Sequence, residues 1–527
     1  MTFVANTSYS TGATAQFGLS IAGEGGIPRP IVWSIAGSDS GGGAGLQADL
    51  KAFAAFGGVH GCTVVAAITA QNSVAVRGVE PVSADLLDAQ LATLAQDMPP
   101  QAIKTGLLGS VENLRVVCRW VDRLRAQGLA VPLVVDPVLG ASTGTGFADD
   151  AMVQVYVNEL LPRATLVTPN RSEAVRLGLT VGQRRDTLSV VITGGDASQQ
   201  DGMASDWLGS PQASGWLSLP RVDTAHQHGT GCTFAATAAA ALASGYCVAD
   251  AVVLAKMATT HALRHGYAAG EGAGPVHAQA DFAQHTTNLP PLSPLAGTSR
   301  AAAPAAFRPL RDPALGVYAV VDSADWVRRV LAAGIRTVQL RIKDPHAPTL
   351  EAQVTEAIAL ANATPGAQLF VNDHWALALR LGAYGVHLGQ EDLDTVDLDA
   401  LRRAGVRLGL STHSYWEVAR AWALRPSYIA CGPVFATRSK DMPWIPQGLD
   451  NLRYWAGLLP VPVVGIAGID TRNMADVAAQ GVAGAAVITA ITQAPDPAAA
   501  CRQLVVAFAQ GREQRSGAIP ARARPTL

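Results

Sequence analysis

Eight short β-type runs alternate with segments of helical period in the second part of this chain: GVYAVV, TVQLR, QLFVN, YGVHLG, RLGLS, YIACGPV, PVVGIAG and AAVITAI. Between them lie stretches such as AQVTEAIALANA and YWEVARAWAL, with apolar residues at helical spacing. Strands separated by helices pair in parallel, and a parallel sheet must be covered on both faces. That leaves a closed (β/α)8 barrel or an open doubly wound sheet, and the count of eight predicts the barrel, over residues 314–510.

The first part also alternates, beginning with IVWSIAG, VVAAITA and LVVDPV, but gives no count of eight. It predicts helices on both faces of an open, mainly parallel sheet over 30–280. Residues 281–313, including PPLSPLAGTSRAAAPAAFRP, read as a Pro/Ala-rich linker. Residues 1–29 and 511–527 read as flexible tails. With 15% charged and 49% hydrophobic residues and a net charge of −2, the 527-residue chain has the composition of a compact α/β enzyme, without the basic stripe of a nucleic-acid binder. Neither an uninterrupted apolar stretch long enough to span a membrane nor a secretory start is present. Cys62, Cys118, Cys232, Cys247, Cys431 and Cys501 form no C-x-x-C pair, which predicts a reducing, cytoplasmic setting. The expected partners are small molecules, with homo-oligomerisation left open.

In the first half, one strand runs into GSDSGGGAGLQADLKAF, a glycine turn that brings backbone close to a ligand or merely closes a strand–helix unit. No Gly-Lys-Ser/Thr follows, so it is not a P-loop. HGTGCTFAATAAAAL places Gly229, Gly231 and Cys232 at the start of a small-residue helix. Its free N–H groups suit a phosphoryl group, and its dipole predicts a lowered Cys232 thiol able to take a proton. The plainer reading makes Cys232 a small buried residue.

AGSDSGGGAGLQADLKAF, AAITAQNS, KTGLLGS, VVDPVLGASTG, TPNRSEA and HGTGCTF, in this order, resemble the hydroxymethylpyrimidine and phosphomethylpyrimidine kinases of the ribokinase-like superfamily. The resemblance implies a three-layer α/β/α domain that phosphorylates a pyrimidine twice with ATP. It implies that Gln71 bonds the pyrimidine, Asp49 shapes that pocket, and Leu107 and Val138 pack on the ring. Asn170 and Glu173 would organise magnesium and phosphate through water. Gly229, Gly231 and Cys232 would form the anion hole, with Cys232 the base. An Asn after a strand can also simply cap the next helix. Thr193 stands where the family has lysine, and the interval from Glu173 to Thr193 is short. The alternative is therefore a non-catalytic, pyrimidine-binding regulatory domain; a pyridoxal-type substrate is a further one.

In the second half, polar residues follow the strand runs, on the face where barrels build active sites. They are Gln339, Arg341 and Lys343; Asn372 and Asp373; His387, Gln390 and Asp392; Ser411; and Thr437, Ser439 and Lys440. The cations suit an anionic substrate, and Asp373 and Asp392 offer hard oxygens for magnesium. The last two loops suit a phosphate held by backbone N–H groups. QLR-x-K, ND, HLGQ-x-D, STHS and GPVF-x-T-x-S-K resemble thiamine-phosphate synthase. The resemblance implies coupling of the pyrimidine diphosphate to a thiazole phosphate with release of pyrophosphate, a step that needs stabilisation of the leaving group. Arg341, Lys343, Asn372, Lys440 and a magnesium on Asp373 and Asp392 would supply it. Gln339 and Ser411 would orient the pyrimidine or its diphosphate. Thr437, Ser439, Gly468, Ile488 and Thr489 would hold the thiazole phosphate. Ala467 replaces a usual glycine and Thr489 a usual serine, both expected to be mild changes. A thiazole tautomerase is the alternative for this half. Together the halves read as a fusion in which the kinase makes the synthase substrate.

Overall fold

The computed structural model describes residues 28–140, 147–182, 188–194, 202–294, 304–436, 444–514 and 517–527. The first half is built on β1 (Ile31–Asp39), β2 (His60–Gln71), β3 (Val76–Pro81), β4 (Ala102–Thr105), β5 (Leu133–Val135), β6 (Leu166–Val167), β7 (Ser189–Ile192), β8 (Met203–Gly209), β9 (Ser214–Pro220) and β10 (Leu292–Ser293). They form one sheet in the order β10-β9-β8-β7-β6-β5-β4-β1-β2-β3. The centre, β7 through β2, is parallel, and both edges are antiparallel. The central strands are short and apolar because both faces are covered: β5 is LVV and wholly buried. Helices Gly45–Phe56, Thr230–Ala243 and Val248–Arg264 cover one face; Ala84–Asp97 and Val111–Ala126 cover the other. Helix Thr230–Ala243 is Ala-rich because it is sandwiched, with Ala235 through Ala241 buried.

Each of the eight runs in the second half is a strand: β11 (Gly316–Val321), β12 (Thr337–Leu340), β13 (Gln368–Asn372), β14 (Gly385–Leu388), β15 (Arg407–Thr412), β16 (Tyr428–Cys431), β17 (Val463–Ile466) and β18 (Gly484–Val487). All are parallel, and β18 returns to β11 to close the barrel. Tyr318, Phe370, Tyr428, Val464 and Ala486 fill its interior. Among the described residues no helix is long and apolar enough to cross a membrane, and all six cysteines are free.

The expected linker and second tail are corrected by the structure. Within 281–313, Phe282, Leu289, Leu292, Phe307 and Leu310 are buried, and Tyr454 Oη of the barrel donates to Ala283 O (2.6 Å). Residues 517–527 pack between the halves. The Arg522 guanidinium lies 3.9 Å over the Phe56 ring, Ala523 N donates to Tyr415 Oη (2.9 Å), and Asn451 brackets Arg524. Average composition suggested loose chain, whereas a few spaced apolar and arginine side chains find partners on both halves. Tyr246 of the sheet half, itself edge to face with Phe56, meets Tyr415 of the barrel edge to face, and Tyr415 packs in turn on Tyr454 and Trp455.

Asp250 joins the halves through a helix end. It sits on helix Val248–Arg264 and accepts from Trp416 N (2.9 Å), at the start of barrel helix Tyr415–Leu424. Burial pushes its carboxyl up to about 7, Glu417 adds to this, and the amides of Trp416 and Tyr415 with Ser414 oppose it. A carboxyl raised in the folded state holds its proton there while the unfolded chain releases it. Stability therefore falls as pH rises from about 4 to 7. Asp250→Asn should flatten that fall and raise stability at pH 8 by roughly 1–3 kcal/mol, read from denaturant melts across pH.

Candidate active sites

In the sheet half, the carboxyl ends of β1, β4 and β5 meet the N-terminus of helix Thr230–Ala243. Asp39 ends β1 and folds the glycine turn around itself: Oδ1 accepts from Gly41 N (2.8 Å), and Oδ2 from Gly43 N (2.9 Å) and Ala44 N (2.8 Å). His228 Nε2 lies 3.2 Å from Asp39 Oδ2 and 3.1 Å from Gln71 Nε2. Burial pushes the Asp39 carboxyl up, but His228 and the three amides outweigh it and hold it below the usual range. The two glycine turns touch: Gly229 has φ 85°, and a Cβ there would lie 2.1 Å from Gly43 O. Only glycine fits.

Below the turns lies a buried charge cluster. Lys104, on β4, bonds Asp49 at 2.9 and 3.0 Å and lies 3.9 Å from Asp136. Burial works against its charge, but Asp49 first, with Asp136 behind it, holds the proton on. Asp49 is fully buried and spent on Lys104 and Ser34 (2.5 Å), so it supports the pocket floor rather than lining the pocket. Asp136 follows β5 and faces Gly231 in the helix's first turn. Burial pushes its carboxyl up to about 6, with Asp49 adding and Lys104 opposing. The Cys232 expectation fails in direction. Burial, helped by Asp49 and Asp136 against Lys104, pushes its thiol up to about 12. Leu107 and Val138 sit half-buried just past β4 and β5.

Asn170 and Glu173 make the helix cap that the plainer reading allowed. Asn170 Oδ1 accepts from Glu173 N (2.9 Å), and Glu173 Oε2 accepts from Asn170 N (3.0 Å). Glu173 Oε1 also accepts from Leu139 N (3.3 Å). Thr193 Oγ1 donates to Pro169 O (3.4 Å), and the Arg171 guanidinium reaches the same strand end beside Gly194.

In the barrel, Gln339, Asn372, His387 and Ser411 converge at consecutive strand ends. A hydrogen-bonded chain runs from Gln339 Nε2 to Tyr318 Oη (3.3 Å), on to Tyr428 Oη (2.8 Å), His387 Nδ1 (2.7 Å), and from His387 Nε2 to Ser411 Oγ (2.8 Å). Burial, then Arg341, pushes His387 down to about 4, so the ring is neutral in this chain. Asn372 lies opposite His387 in register. Arg341 is half-buried beside Asp373, with Lys343 exposed further along the same loop. Asp373 has φ 61°, and its carboxyl is raised by burial and by the charge of Asp392, with Arg341 opposing. Asp392 Oδ2 accepts from Gly389 N (2.7 Å). Two carboxylates that raise each other's cost of ionisation are a pair that a divalent cation would neutralise. Gly468 (φ 67°) follows β17, and Ile488 and Thr489 follow β18 at the start of a short helix. Thr437, Ser439 and Lys440 lie outside the described residues.

A family model for phosphomethylpyrimidine kinase matches residues 39–277, and one for thiamine monophosphate synthase matches residues 317–491. A probable chloroplastic thiamine biosynthetic bifunctional enzyme of Oryza sativa subsp. japonica is 33% identical over 508 residues, covering 91% of this chain and 88% of that one. The chain belongs to the family of bifunctional thiamine biosynthetic enzymes. Its barrel half is also similar to the thiamine-phosphate synthase of Serratia proteamaculans, at 55% identity over 36% of this chain and 90% of that one. Among solved structures, an ADP complex of Bacillus subtilis pyridoxal kinase is 31% identical over 48% of this chain and 98% of that one, with a TM-score of 0.42.

Within this bifunctional enzyme, sequence reasoning missed Asp39, Lys104, Asp136 and His228 in the kinase half. All four stand inside the six motifs, so the signal was present. It also missed Tyr318, Tyr428 and the His413–Trp444 stack (3.6 Å) in the synthase half. Ala467 is less mild than expected, because at φ 81° it adopts a conformation that suits glycine. Ala467→Gly should stabilise the synthase half by about 1 kcal/mol, read by thermal unfolding.

Proposed function

We propose that the kinase half uses ATP to phosphorylate 4-amino-5-hydroxymethyl-2-methylpyrimidine and then its monophosphate, and that the synthase half couples the resulting diphosphate to thiazole phosphate. The observation that carries this is the grouping of Arg341, Asp373 and Asp392 just past the carboxyl ends of neighbouring barrel strands. Magnesium held by Asp373 and Asp392 would neutralise charge on the departing pyrophosphate. Arg341, and by resemblance Lys343, Asn372 and Lys440, would bind the diphosphate. Gln339 and Ser411, anchored at the two ends of the Tyr318–Tyr428–His387 chain, would orient the pyrimidine. Gly468, Ile488 and Thr489, with Thr437 and Ser439 by resemblance, would hold the thiazole phosphate.

In the kinase half, Gly229 and Gly231 would present backbone N–H groups to the transferring phosphoryl group, with Cys232 beside them. Leu107 and Val138 would pack on the pyrimidine and Gln71 would bond it. Asn170 and Glu173 would act on nucleotide and magnesium through water while capping their helix. The free cysteines support a reducing, cytoplasmic setting. Thr193 favours a second reading, a weak or non-catalytic kinase half, because its hydroxyl is turned to a carbonyl and carries no charge. One experiment separates the readings. The purified protein is incubated with the hydroxymethylpyrimidine, ATP, magnesium and thiazole phosphate, and thiamine phosphate is the expected product. Product only when the pyrimidine diphosphate is supplied would leave the synthase and remove the kinase. No product in either case would remove the synthase.

A further inference from the structure

Where the chain leaves the kinase half, His261, Asp281 and His285 bring two imidazoles and a carboxylate together, with one ligand atom from each inside a 4.8 Å sphere of mutual distances. We infer that these three side chains form a binding site for a divalent transition-metal ion of the zinc class, structural in role and separate from both active sites. His261 comes from helix Val248–Arg264, and Asp281 and His285 flank the short turn Phe282–Gln284.

The distances suit such an ion. His285 Nε2 lies 3.0 Å from Asp281 Oδ2, and His261 Nε2 lies 3.6 Å from Asp281 Oδ1. Atoms that share a zinc ion at bonds of about 2.0–2.2 Å stand roughly 3–3.6 Å apart. The chemistry suits it as well, since imidazole nitrogen with one carboxylate is a borderline-soft set that selects zinc-class ions over magnesium. Asp281 and His285 are half-exposed, which gives an ion a path in and water to complete its coordination.

His261 sets this cluster apart from a surface ion pair. Its side chain is 4% exposed, yet among the described residues neither ring nitrogen has a hydrogen bond. Nδ1 is buried without a partner, and Nε2 stops beyond hydrogen-bond reach of Asp281. An ion on Nε2 would give the buried ring a partner that no side chain supplies there, while Nδ1 would stay without one. The Arg264 guanidinium is occupied elsewhere, donating to Thr287 Oγ1 (3.1 Å) and Thr287 O (3.2 Å). The His285 ring is stacked on His261, with centroids 5.2 Å apart and planes 15° apart. Its exposure lets it turn so that both Nε2 lone pairs converge on the ion. The segment so tied also receives hydrogen bonds between the halves, from Tyr454 Oη to Ala283 O and from Thr286 Oγ1 to Leu458 O. An ion there would fasten the crossing segment to the kinase half.

The test uses the full chain, stripped with chelator and held in saturating magnesium so that Asp373 and Asp392 are occupied. Zn2+ is titrated by calorimetry and Co2+ by its visible d–d absorption. The expected result is one tight equivalent per chain, lost in His285→Ala and in Asp281→Asn, and kept in Asp392→Asn. The two site variants should retain wild-type coupling activity, which shows that they fold. Zn2+ should raise the thermal midpoint of the wild type and leave that of His285→Ala unmoved. Absence of a tight equivalent in the wild type, or an equivalent that survives both site variants, overturns the inference.

Discussion

Arg341→Ala should lower the kcat/KM for thiamine phosphate formation by about 10²–10³ while leaving ATP-dependent pyrimidine phosphorylation unchanged. The guanidinium stands beside Asp373 and His387 at the mouth of the barrel. Its planar fork matches phosphate oxygens in pairs, which a point charge does not. Charge builds on the diphosphate as its bond to carbon breaks, so the loss should fall mainly on kcat rather than KM. Arg341→Lys should recover only part of the rate. A loss below tenfold would place the diphosphate elsewhere on the barrel.

The barrel was legible because its eight strands are short apolar runs whose ends turn polar, and that contrast survives in one dimension. The kinase sheet was legible only in its parallel centre. Its antiparallel edges, such as β8 and β9, carry mixed sequences that no strand count separates from loops. The charge cluster was hidden by distance in sequence. Lys104 reads as an ordinary lysine before a glycine turn, and its partner Asp49 is 55 residues away. Cys232 shows which effect wins when two oppose. A helix N-terminus contributes on the order of 1 kcal/mol, whereas burial beside two carboxylates shifts a thiol by several pKa units, each about 1.4 kcal/mol. Tyr318 and Tyr428 look like core aromatics, and they are, but their buried hydroxyls need partners and so carry the chain from Gln339 to His387. The junction was hidden because Phe282, Leu292 and Phe307 are isolated apolar residues in a Pro/Ala background, visible as core only once both halves are in place.

Asp136→Asn should lower the kinase kcat/KM by about 10²–10³ and remove its acid limb. The Asp136 carboxyl is raised to about 6, faces the first turn of helix Thr230–Ala243, and is backed by Lys104. A group that titrates there can accept the hydroxyl proton near neutrality, or hold a cation against the phosphates, only in its ionised form. Kinase activity of the free enzyme should thus be full above about pH 6 and fall close to tenfold per unit below it. The Cys232 thiol is pushed up, to about 12, so a limb near pH 6 is not expected from it. Cys232→Ser should accordingly keep the limb near pH 6 even where it slows the reaction. Asn at 136 is isosteric, and Asp49 still compensates Lys104, so the fold should survive. If Asp136→Asn keeps the limb and Cys232→Ser loses it, the thiol is the base after all, and bound substrate must have reversed the effect of its burial.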